Sequence, residues 1–395
     1  MIENLTVGTA TRWGLALLIL LGGAVALYLG ESIFIPTTIA LLLAAMFWPV
    51  VRYLHRRISL PWTFCCLVVV LSMVLVTVLV VLSVIPLSMQ LLQGLPRPDD
   101  TASQIKLYEN FRNRLDQIVP LPPIKNVEDD PVFQYLHKTL EGPYVTTALV
   151  QLAWYANNWL WQAILILFLL LFLLMEGPIL TRRLVEIFGP SQEAQSRAVV
   201  VLGAMAHHVR TYLVWRTIIN LALAVLVGMV YQGLHLRQAW TWAFLTGVGC
   251  YVPYLGPIAA GVPPILDAFL SAGPQQALAV LLFYTIVMVL EGYVIVPVVM
   301  GRRIELNATT VMLSCLFWER IWGLPGLFLA MPVMAGIKAV CATVPGWEPW
   351  ANLMSTRVPL APPRASTKSK ASLEDTQMLL PEEVAAIEQT LRDEP

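Results

Sequence analysis

The feature that most constrains this chain is the length of its uncharged apolar runs. The longest, Ile58–Pro96, holds 39 residues without an ionised side chain. A helix crosses the hydrocarbon core of a membrane, about 30 Å thick, with about 20 apolar residues. Of the 395 residues, 57% are hydrophobic and 13% charged, too few polar groups to cover a water-soluble globule of this size. The sequence therefore predicts an all-α integral membrane protein in a lipid bilayer.

Five apolar runs in the first 234 residues predict five membrane spans. Glu31 alone separates Trp13–Gly30 from Ser32–Val51, which predicts a tight helical hairpin. The third run would reach about 58 Å as one helix. It therefore either projects beyond the bilayer or bends at Pro86. The last two spans are predicted at Tyr144–Met175 and Thr217–Leu234.

Between the third and fourth spans, a polar insert carries a predicted amphipathic helix. Its apolar positions recur at three- and four-residue spacing. They are Ile105, Tyr108, Phe111, Leu115 and Ile118. This helix lies against the membrane face or a neighbouring subunit, or it packs as a satellite on its own insert. Together with the overlong third span, it favours a homo-oligomer.

Two C-terminal segments contain too many helix breakers for uninterrupted spans. Gln238–Leu266 holds four glycines and four prolines, and Leu306–Ile337 carries Glu319–Arg320 near its middle, followed by Gly323–Gly326. Both segments are predicted to be broken or re-entrant, with two half-helices each. With the apolar span between them, they bring the total to about eight membrane segments.

Basic residues favour the cytoplasmic side of a membrane. The arginine-rich loop Arg52–Arg57 is therefore predicted on the cytoplasmic side of the cell (inner or plasma) membrane. The N-terminus, two spans earlier, is predicted on the same side. If both broken segments are hairpins, Arg302 and Arg303 also lie inside. The C-terminus is cytoplasmic in either case, and its Pro-, Ser- and Lys-rich composition predicts a disordered tail.

These features divide the chain into five predicted parts. They are helices 1–3 (residues 1–94), the external insert (95–143), helices 4–5 with a cytoplasmic helical stretch at 176–216 (144–234), a transport unit with broken helices (235–344) and the tail (345–395).

Three motifs follow one another in the C-terminal half. They are Val252–Pro257 with the sequence Val-Pro-Tyr-Leu-Gly-Pro, Glu291–Arg303 with Glu-Gly, Pro297 and Gly-Arg-Arg, and Gly323–Gly326 with Gly-Leu-Pro-Gly. In this order they resemble the autoinducer-2 exporter family of permeases. The resemblance implies export of small solutes, with autoinducer-2, a quorum-sensing signal, and sodium–proton exchange both described among similar proteins. Trp215-Arg216 departs from the pattern, since similar sequences usually have a Gly-Gln pair there.

The breakers around Pro253–Pro264 are the strongest indication of a binding site. A helix interrupted at membrane depth has unpaired N–H and C=O groups, and transporters use these groups to hold ions and polar solutes. The alternative is a kink that serves helix packing alone. The candidate residues here are Pro253, Tyr254, Gly256 and Pro257.

Glu291 lies deep in an apolar run, where a charge costs about 2.5–3.5 kcal/mol. It is either a proton- or cation-coupling site or a structural partner of Arg302, Arg303 or a freed backbone group. The two arginines either hold a substrate oxygen or anchor a helix end at the interface. Glu319 belongs either to a buried ion pair or to a hairpin tip in water. Pro297, which ends the Glu-Gly motif, completes the candidate set.

Several classes of function lack sequence support. No nucleotide-binding, hydrolase or metal-ligand motif occurs, which predicts neither an enzyme nor a bound cofactor or metal. The formal net charge is zero without a basic patch, so no nucleic-acid partner is predicted. The five cysteines lie in apolar segments and are interpreted as small buried hydrophobes.

The function favoured by these features is secondary transport of a small polar solute, with autoinducer-2 as one candidate, coupled to a proton or sodium gradient. An alternative within the same family is a sodium(lithium)/proton antiporter. An alternative of another class is a non-transporting membrane scaffold or assembly factor, for which the insert and the acidic tail would provide docking sites.

Overall fold

The structure of the protein is a computed structural model. It describes residues 3–94, 100–123, 126–141, 143–187, 191–300 and 306–356. Over these residues the regular elements are helices, and one isolated bridge joins Leu306 to Ser355. The predicted all-α fold is confirmed. The disordered tail was predicted over residues 345–395. Its first part, residues 345–356, is described and contains a short helix at Glu348–Leu353, whereas the rest lies outside the described residues.

Thirteen α-helices follow one another along the described residues. They are α1 (Glu3–Leu29), α2 (Glu31–Ile58), α3 (Trp62–Gly94), α4 (Thr101–Asp116), α5 (Pro131–Glu141), α6 (Pro143–Ile187), α7 (Gln192–Gly233), α8 (Ala239–Gly249), α9 (Leu255–Ser271), α10 (Pro274–Leu290), α11 (Val296–Met300), α12 (Ala308–Thr343) and α13 (Glu348–Leu353). A 3-10 turn at Val127–Asp129 precedes α5, and a π-helical turn at Glu291–Ile295 joins α10 to α11.

Six of the described helical stretches are long and apolar enough to cross a membrane. They are Glu31–Ile58, Trp62–Leu82, Asn158–Ile187, Gln192–Gly233, Pro274–Met300 and Ala308–Thr343. Two shorter apolar helices, Gly14–Leu29 and Leu255–Ser271, accompany them. This set agrees with a multi-pass chain of about eight membrane segments.

The chain forms two compact units, and the division falls within α3, α6 and α7. Unit 1 comprises the described parts of Met1–Val69, Leu165–Leu213 and Arg303–Pro395. Unit 2 comprises those of Val70–Ile164 and Val214–Arg302. The two broken segments belong to different units, whereas the sequence grouped them in one transport unit. That functional grouping stays a prediction.

In unit 1, the core forms where α1 and α2 pack against α12. α1 ends at Leu29 and α2 begins at Glu31, so the two helices meet at the position where the sequence predicted a tight helical hairpin. Ile35 of α2 belongs to the same buried cluster as Trp322 of α12. The indole N–H of Trp322 also donates to the carbonyl of Leu27 in α1 at 3.0 Å. One aromatic side chain thus joins the first and last long helices of this unit.

The break predicted within Leu306–Ile337 is confirmed, and it lies at Gly323 in α12. Gly323 adopts φ 60° and ψ −140°, which interrupts the helix. A Cβ on Gly326 would overlap the carbonyl of Trp318, although residues eight apart in a straight helix are separated by about 12 Å. The chain therefore folds back into a hairpin. Asn307 caps its first arm by accepting the N–H of Thr310 at 2.7 Å, as expected of a residue before a helix.

In unit 2, α8 and α9 form the other predicted hairpin. A Cβ on Gly256 would overlap the carbonyl of Gly249, so the backbone also folds back here. Nearer the open end, the indole of Trp242 donates to the carboxylate of Asp267 at 2.7 Å. The hairpin packs with α7 and α10 around a core that includes Val227, Tyr231, Ala243, Val280 and Tyr284.

Three helices are longer than the bilayer requires. α3 continues through Pro86 for 33 residues, about 50 Å of helix, so the third span exceeds a hydrocarbon core of about 30 Å. α6 has 45 residues and α7 has 42. Residues 176–187 and 192–216 of the predicted polar stretch belong to these two helices, and α7 continues into the fifth span without a break.

The amphipathic helix of the insert is α4, and it packs on its own insert as the satellite alternative stated. The ring of Tyr108 meets Phe133 of α5 with centroids 5.5 Å apart. α4 also contacts α9, because Phe111 meets Phe269 at 5.9 Å and Arg114 donates to the carbonyl of Ala272 at 3.3 Å. This helix therefore braces the end of the α8–α9 hairpin.

The first testable prediction concerns the glycines that allow the two backbones to fold back. Gly256→Ala and Gly326→Ala each place a methyl group on a carbonyl oxygen. Each should destabilise the protein by about 2 kcal/mol or more, measured as a lower Tm in detergent. Gly203→Ala is the matched control, because no atom lies within 4 Å of the new Cβ. An unchanged Tm for both hairpin variants would contradict the fold-back geometry.

The second prediction concerns Asp130 in the insert. The Tyr108 hydroxyl and the Val132 N–H donate to its carboxylate and, with the nearby Arg112, hold the pKa of Asp130 below its usual range. A carboxyl with a lowered folded pKa stabilises the fold above its unfolded pKa of about 3.9. The Tm advantage of the wild type over Asp130→Asn should therefore be constant above about pH 5 and shrink below about pH 4. An advantage that grows in acid would contradict this.

Candidate functional site

A charged pair inside unit 2 marks the candidate site. Arg216 of α7 and Glu291 at the end of α10 are 8% and 6% exposed, and Arg216 Nη1 lies 2.5 Å from Glu291 Oε1. Such a pair is costly to bury unless its hydrogen bonds are well placed. Glu291 is 17 residues beyond the start of α10, about 25 Å along the helix. The pair therefore lies far from that end of the apolar helix.

Arg216 also holds the interruption between α8 and α9. Its Nη2 donates to the carbonyl of Cys250, the residue that follows the last turn of α8. A helix C-terminus has unpaired carbonyls and a partial negative charge, so a guanidinium is favoured there. The planar fork of arginine suits two acceptors at once. Arg216 thus ties α7 to both α8 and α10.

The chain between α8 and α9 is tightly turned. Tyr254 has φ 60°, a value that non-glycine residues adopt only at an energetic cost. The N–H of Gly256 donates to the carbonyl of Val252 at 3.2 Å. Such strained turns persist where the surrounding structure fixes them.

Two tyrosines supply that support. The hydroxyl of Tyr284 on α10 donates to the carbonyl of Pro257 at 2.6 Å. The hydroxyl of Tyr251 donates to Thr217 Oγ1 on α7 at 2.7 Å. The α7 contact thus holds the turn at Tyr251, and the α10 contact holds the first turn of α9 directly after it.

Pro297 accounts for the local shape of the chain around Glu291. A proline lacks the N–H that would bond the carbonyl four residues earlier, here Tyr293, and its ring clashes with that carbonyl. The helix widens into the π-helical turn Glu291–Ile295, in which the N–H of Val296 reaches the carbonyl of Glu291. Turns of this kind occur often at functional sites.

An open groove of about 300 Å³ runs along Glu291. Its walls come from α7, α10 and the turn before α11, and they are otherwise apolar. They include Trp215, Ile219, Leu290 and Ile295. Glu291 is the ionisable residue among those that line this groove, and one of its carboxylate oxygens is held by Arg216.

The structure brings part of the predicted site together. Pro253 and Tyr254 lie in the turn between α8 and α9, and Gly256 and Pro257 lie in the first turn of α9, shortly after the Cys250 carbonyl that Arg216 contacts. Pro297 lies on α11 with an exposed side chain. Glu319 is exposed four residues before the break in α12 and belongs to unit 1. This position agrees with the hairpin-tip interpretation of Glu319. Arg302 and Arg303 lie outside the described residues.

Sequence reasoning missed Arg216 as the partner of Glu291. The expected partners were Arg302, Arg303 or a backbone group, and Arg216 was assigned to the cytoplasmic stretch. Two signals could have found it. Arg216 directly precedes the uncharged run Thr217–Leu234, so it enters the membrane if the helix is continuous. It also stands at the departure from the Gly-Gln pair of similar sequences.

Comparison with known proteins agrees with this geometry. The family model described as "AI-2E family transporter" matches residues 17–346. This chain belongs to the AI-2E transporter family. The match includes the Arg216–Glu291 pair and both hairpins, so the features described above lie inside the family domain.

Individual relatives of this AI-2E family member have low sequence identity to it, but the similarity extends over most of the chain. TqsA of Escherichia coli K12, named an AI-2 transport protein, is 25% identical over 87% of this chain and 96% of its own. A Mycobacterium tuberculosis protein named for transport, MT0215, is 26% identical over 86% of this chain and 92% of its own. Bacillus subtilis YueF, also named for transport, is 24% identical over 78% and 83%. These names favour transport over catalysis.

The third prediction tests the buried pair in this AI-2E family member. Arg216→Met or Glu291→Met leaves one charge buried without its partner, which should destabilise the protein by about 3 kcal/mol or more. The double variant Arg216→Met/Glu291→Met removes both charges and should recover most of that loss. The measurement is Tm in detergent, or the midpoint of denaturant unfolding. A double variant as unstable as the sum of the singles would show that the two side chains act independently.

Proposed function

We propose that this AI-2E family member is a secondary transporter of a small polar solute in the cell membrane, with both termini cytoplasmic, driven by a proton or sodium gradient. Membership of a transporter family supports the general class. The single observation that carries the mechanism is the link of Arg216 to both Glu291 and the Cys250 carbonyl. The charged pair thus lies beside an interrupted helix, and the proposal is that this pair opens during transport.

Releasing the pair would free the groups that a polar solute needs. When Glu291 takes up a proton, its attraction for Arg216 weakens, and the guanidinium and the Cys250 carbonyl become available to a solute. Freed helix ends at membrane depth commonly serve this purpose in transporters.

Autoinducer-2 is the first solute to test, because the Escherichia coli relative TqsA is named for its transport. At 25% identity the solute of a relative is a starting point for this chain. The proposed direction is export, as the family resemblance implies. A homo-oligomer is proposed on the same apolar surfaces that the sequence indicated.

Sodium(lithium)/proton exchange is the second candidate. The Glu291 carboxylate and the Cys250 carbonyl converge on Arg216, and oxygen ligands of these two kinds also bind hard cations. In that function a metal cation would compete with the guanidinium for the same acceptors. A cation gradient would then be dissipated without any organic solute.

The fourth prediction tests coupling at Glu291. The Glu291→Gln variant keeps the shape and hydrogen-bonding capacity but cannot exchange a proton. We expect it to bind autoinducer-2 while losing at least about tenfold in gradient-driven flux, the factor that corresponds to 1.4 kcal/mol. The measurement is flux from loaded proteoliposomes with imposed proton or sodium gradients. Glu319→Gln is the matched control, because Glu319 is exposed and belongs to unit 1.

Each outcome separates the candidates. Cation-driven proton movement without solute favours the antiporter. Unchanged gradient-driven flux in Glu291→Gln contradicts the coupling role. A scaffold predicts instead that deleting residues 97–143 abolishes function in cells while Glu291→Gln does not.

A further inference from the structure

Asn220 is a buried amide that the proposed transport step does not use. It is 2% exposed, and neither the nitrogen nor the oxygen of its side chain has a hydrogen-bond partner. A buried amide without a partner destabilises the folded state. A local choice that costs stability is expected where function requires it.

The position of Asn220 relates it to Arg216. The two residues are four apart on α7, so their side chains occupy the same helix face one turn from each other. Side chains on a helix lean towards its N-terminus, which directs the Asn220 amide towards Arg216. The helix opposite contributes Gly247, and the two backbones approach closely here, since an added Cβ would stand 3.3 Å from the Asn220 backbone oxygen.

We propose that Asn220 is the second acceptor for Arg216 during transport. When Glu291 is neutralised by a proton or engaged by cargo, the guanidinium turns to Oδ1 of Asn220. This inference rests on the proposed function, in which the Arg216–Glu291 pair opens. Asn220 is then a positioning residue, because it acts on the site through Arg216.

The electrostatics explain why a second acceptor is needed. Glu291 is the charged partner that contacts Arg216. The other titratable groups whose charges reach Glu291 are the Cys250 thiol and the Tyr284 hydroxyl, and neither is ordinarily ionised at neutral pH. Protonation of Glu291 would remove the negative charge that contacts Arg216, so another acceptor close to the buried guanidinium would stabilise it in that state. The amide oxygen of Asn220, one helical turn away, would lower the free energy of the guanidinium in this state and would favour its separation from Glu291.

A double-mutant cycle on stability tests the proposal in the full-length protein. Glu291→Met removes the first acceptor, and Asn220→Leu removes the second while keeping the branching of the side chain at Cγ. We expect Asn220→Leu alone to leave the Tm unchanged or raise it. Combined with Glu291→Met, it should lower the Tm by about 3 °C or more beyond the sum of the single effects. Additive Tm changes would overturn the proposal.

A matched control and a rescue sharpen the cycle. Tyr231 is also on α7, with a buried hydroxyl that has no hydrogen-bond partner, but it is 15 residues from Arg216, about 22 Å along the helix. Tyr231→Phe should therefore be additive with Glu291→Met. Asn220→Asp should restore the Tm lost in Glu291→Met, because it moves the carboxylate to the second acceptor position. If Asn220→Leu does not fold, the recovery of Tm by Asn220→Asp in the Glu291→Met protein tests the proposal by itself. No recovery would overturn the proposal.

Flux separates this inference from the proposed function. In proteoliposomes loaded with autoinducer-2, Asn220→Leu should lose about tenfold in gradient-driven flux while its Tm is retained, a readout that a merely structural residue would not move. If Asn220→Leu transports as fast as the wild type and the Tm changes of the double-mutant cycle are additive, the role of Asn220 is overturned while the proposed function stands. If the Tm changes are coupled but the wild type transports neither autoinducer-2 nor Na⁺, the proposed function is overturned while Asn220 stands as the second acceptor.

Discussion

The hydrogen-bonding requirement of backbone at membrane depth is the constraint on which unit 2 depends. The hydrocarbon core contains no water to satisfy the N–H and C=O groups freed where a helix stops. Helix α8 ends at Gly249 and helix α9 begins at Leu255, which leaves the carbonyl of Cys250 without a partner inside a helix. Arg216 satisfies that carbonyl and brings a charge with it, so Glu291 follows as the counter-ion. The same requirement explains why Tyr251 and Tyr284 bond Thr217 and a turn carbonyl.

Glycine makes the fold-back possible in both units. At Gly256 and at Gly326 a carbonyl of the preceding arm occupies the space of a Cβ. A residue with a side chain would push the arms apart and expose backbone that has no other partner. The two hairpins therefore reach the same solution with different sequences, Tyr-Leu-Gly-Pro in one and Leu-Pro-Gly in the other. They differ in what lies close by, since the buried ion pair belongs to the α8–α9 hairpin.

Sequence alone predicted the helical class, the insert helix and both breaks, because apolar length and the placement of Gly and Pro are local properties. It could not assign the partner of Glu291. The pair Arg216–Glu291 spans 75 residues, and no periodicity links them. The continuous α7 also escaped prediction, since a run of polar residues before Thr217 reads as a cytoplasmic segment although the helix continues through it. The break in α12 lies at Gly323, one of the breakers that the sequence indicated, where the backbone has a positive φ.

The choice of an ion pair rather than apolar packing at the α8–α9 turn is consistent with a site that must open. Apolar side chains of similar volume would hold α7, α8 and α10 at least as firmly, because the desolvation of two charges offsets most of their attraction. Apolar contacts, however, respond to neither a proton nor a cation. A carboxylate and a guanidinium respond to both, and the cost of burying them is the condition for that response. The unpartnered amide of Asn220 adds to the same cost one turn away, and its proposed role as a second acceptor for Arg216 would account for that cost.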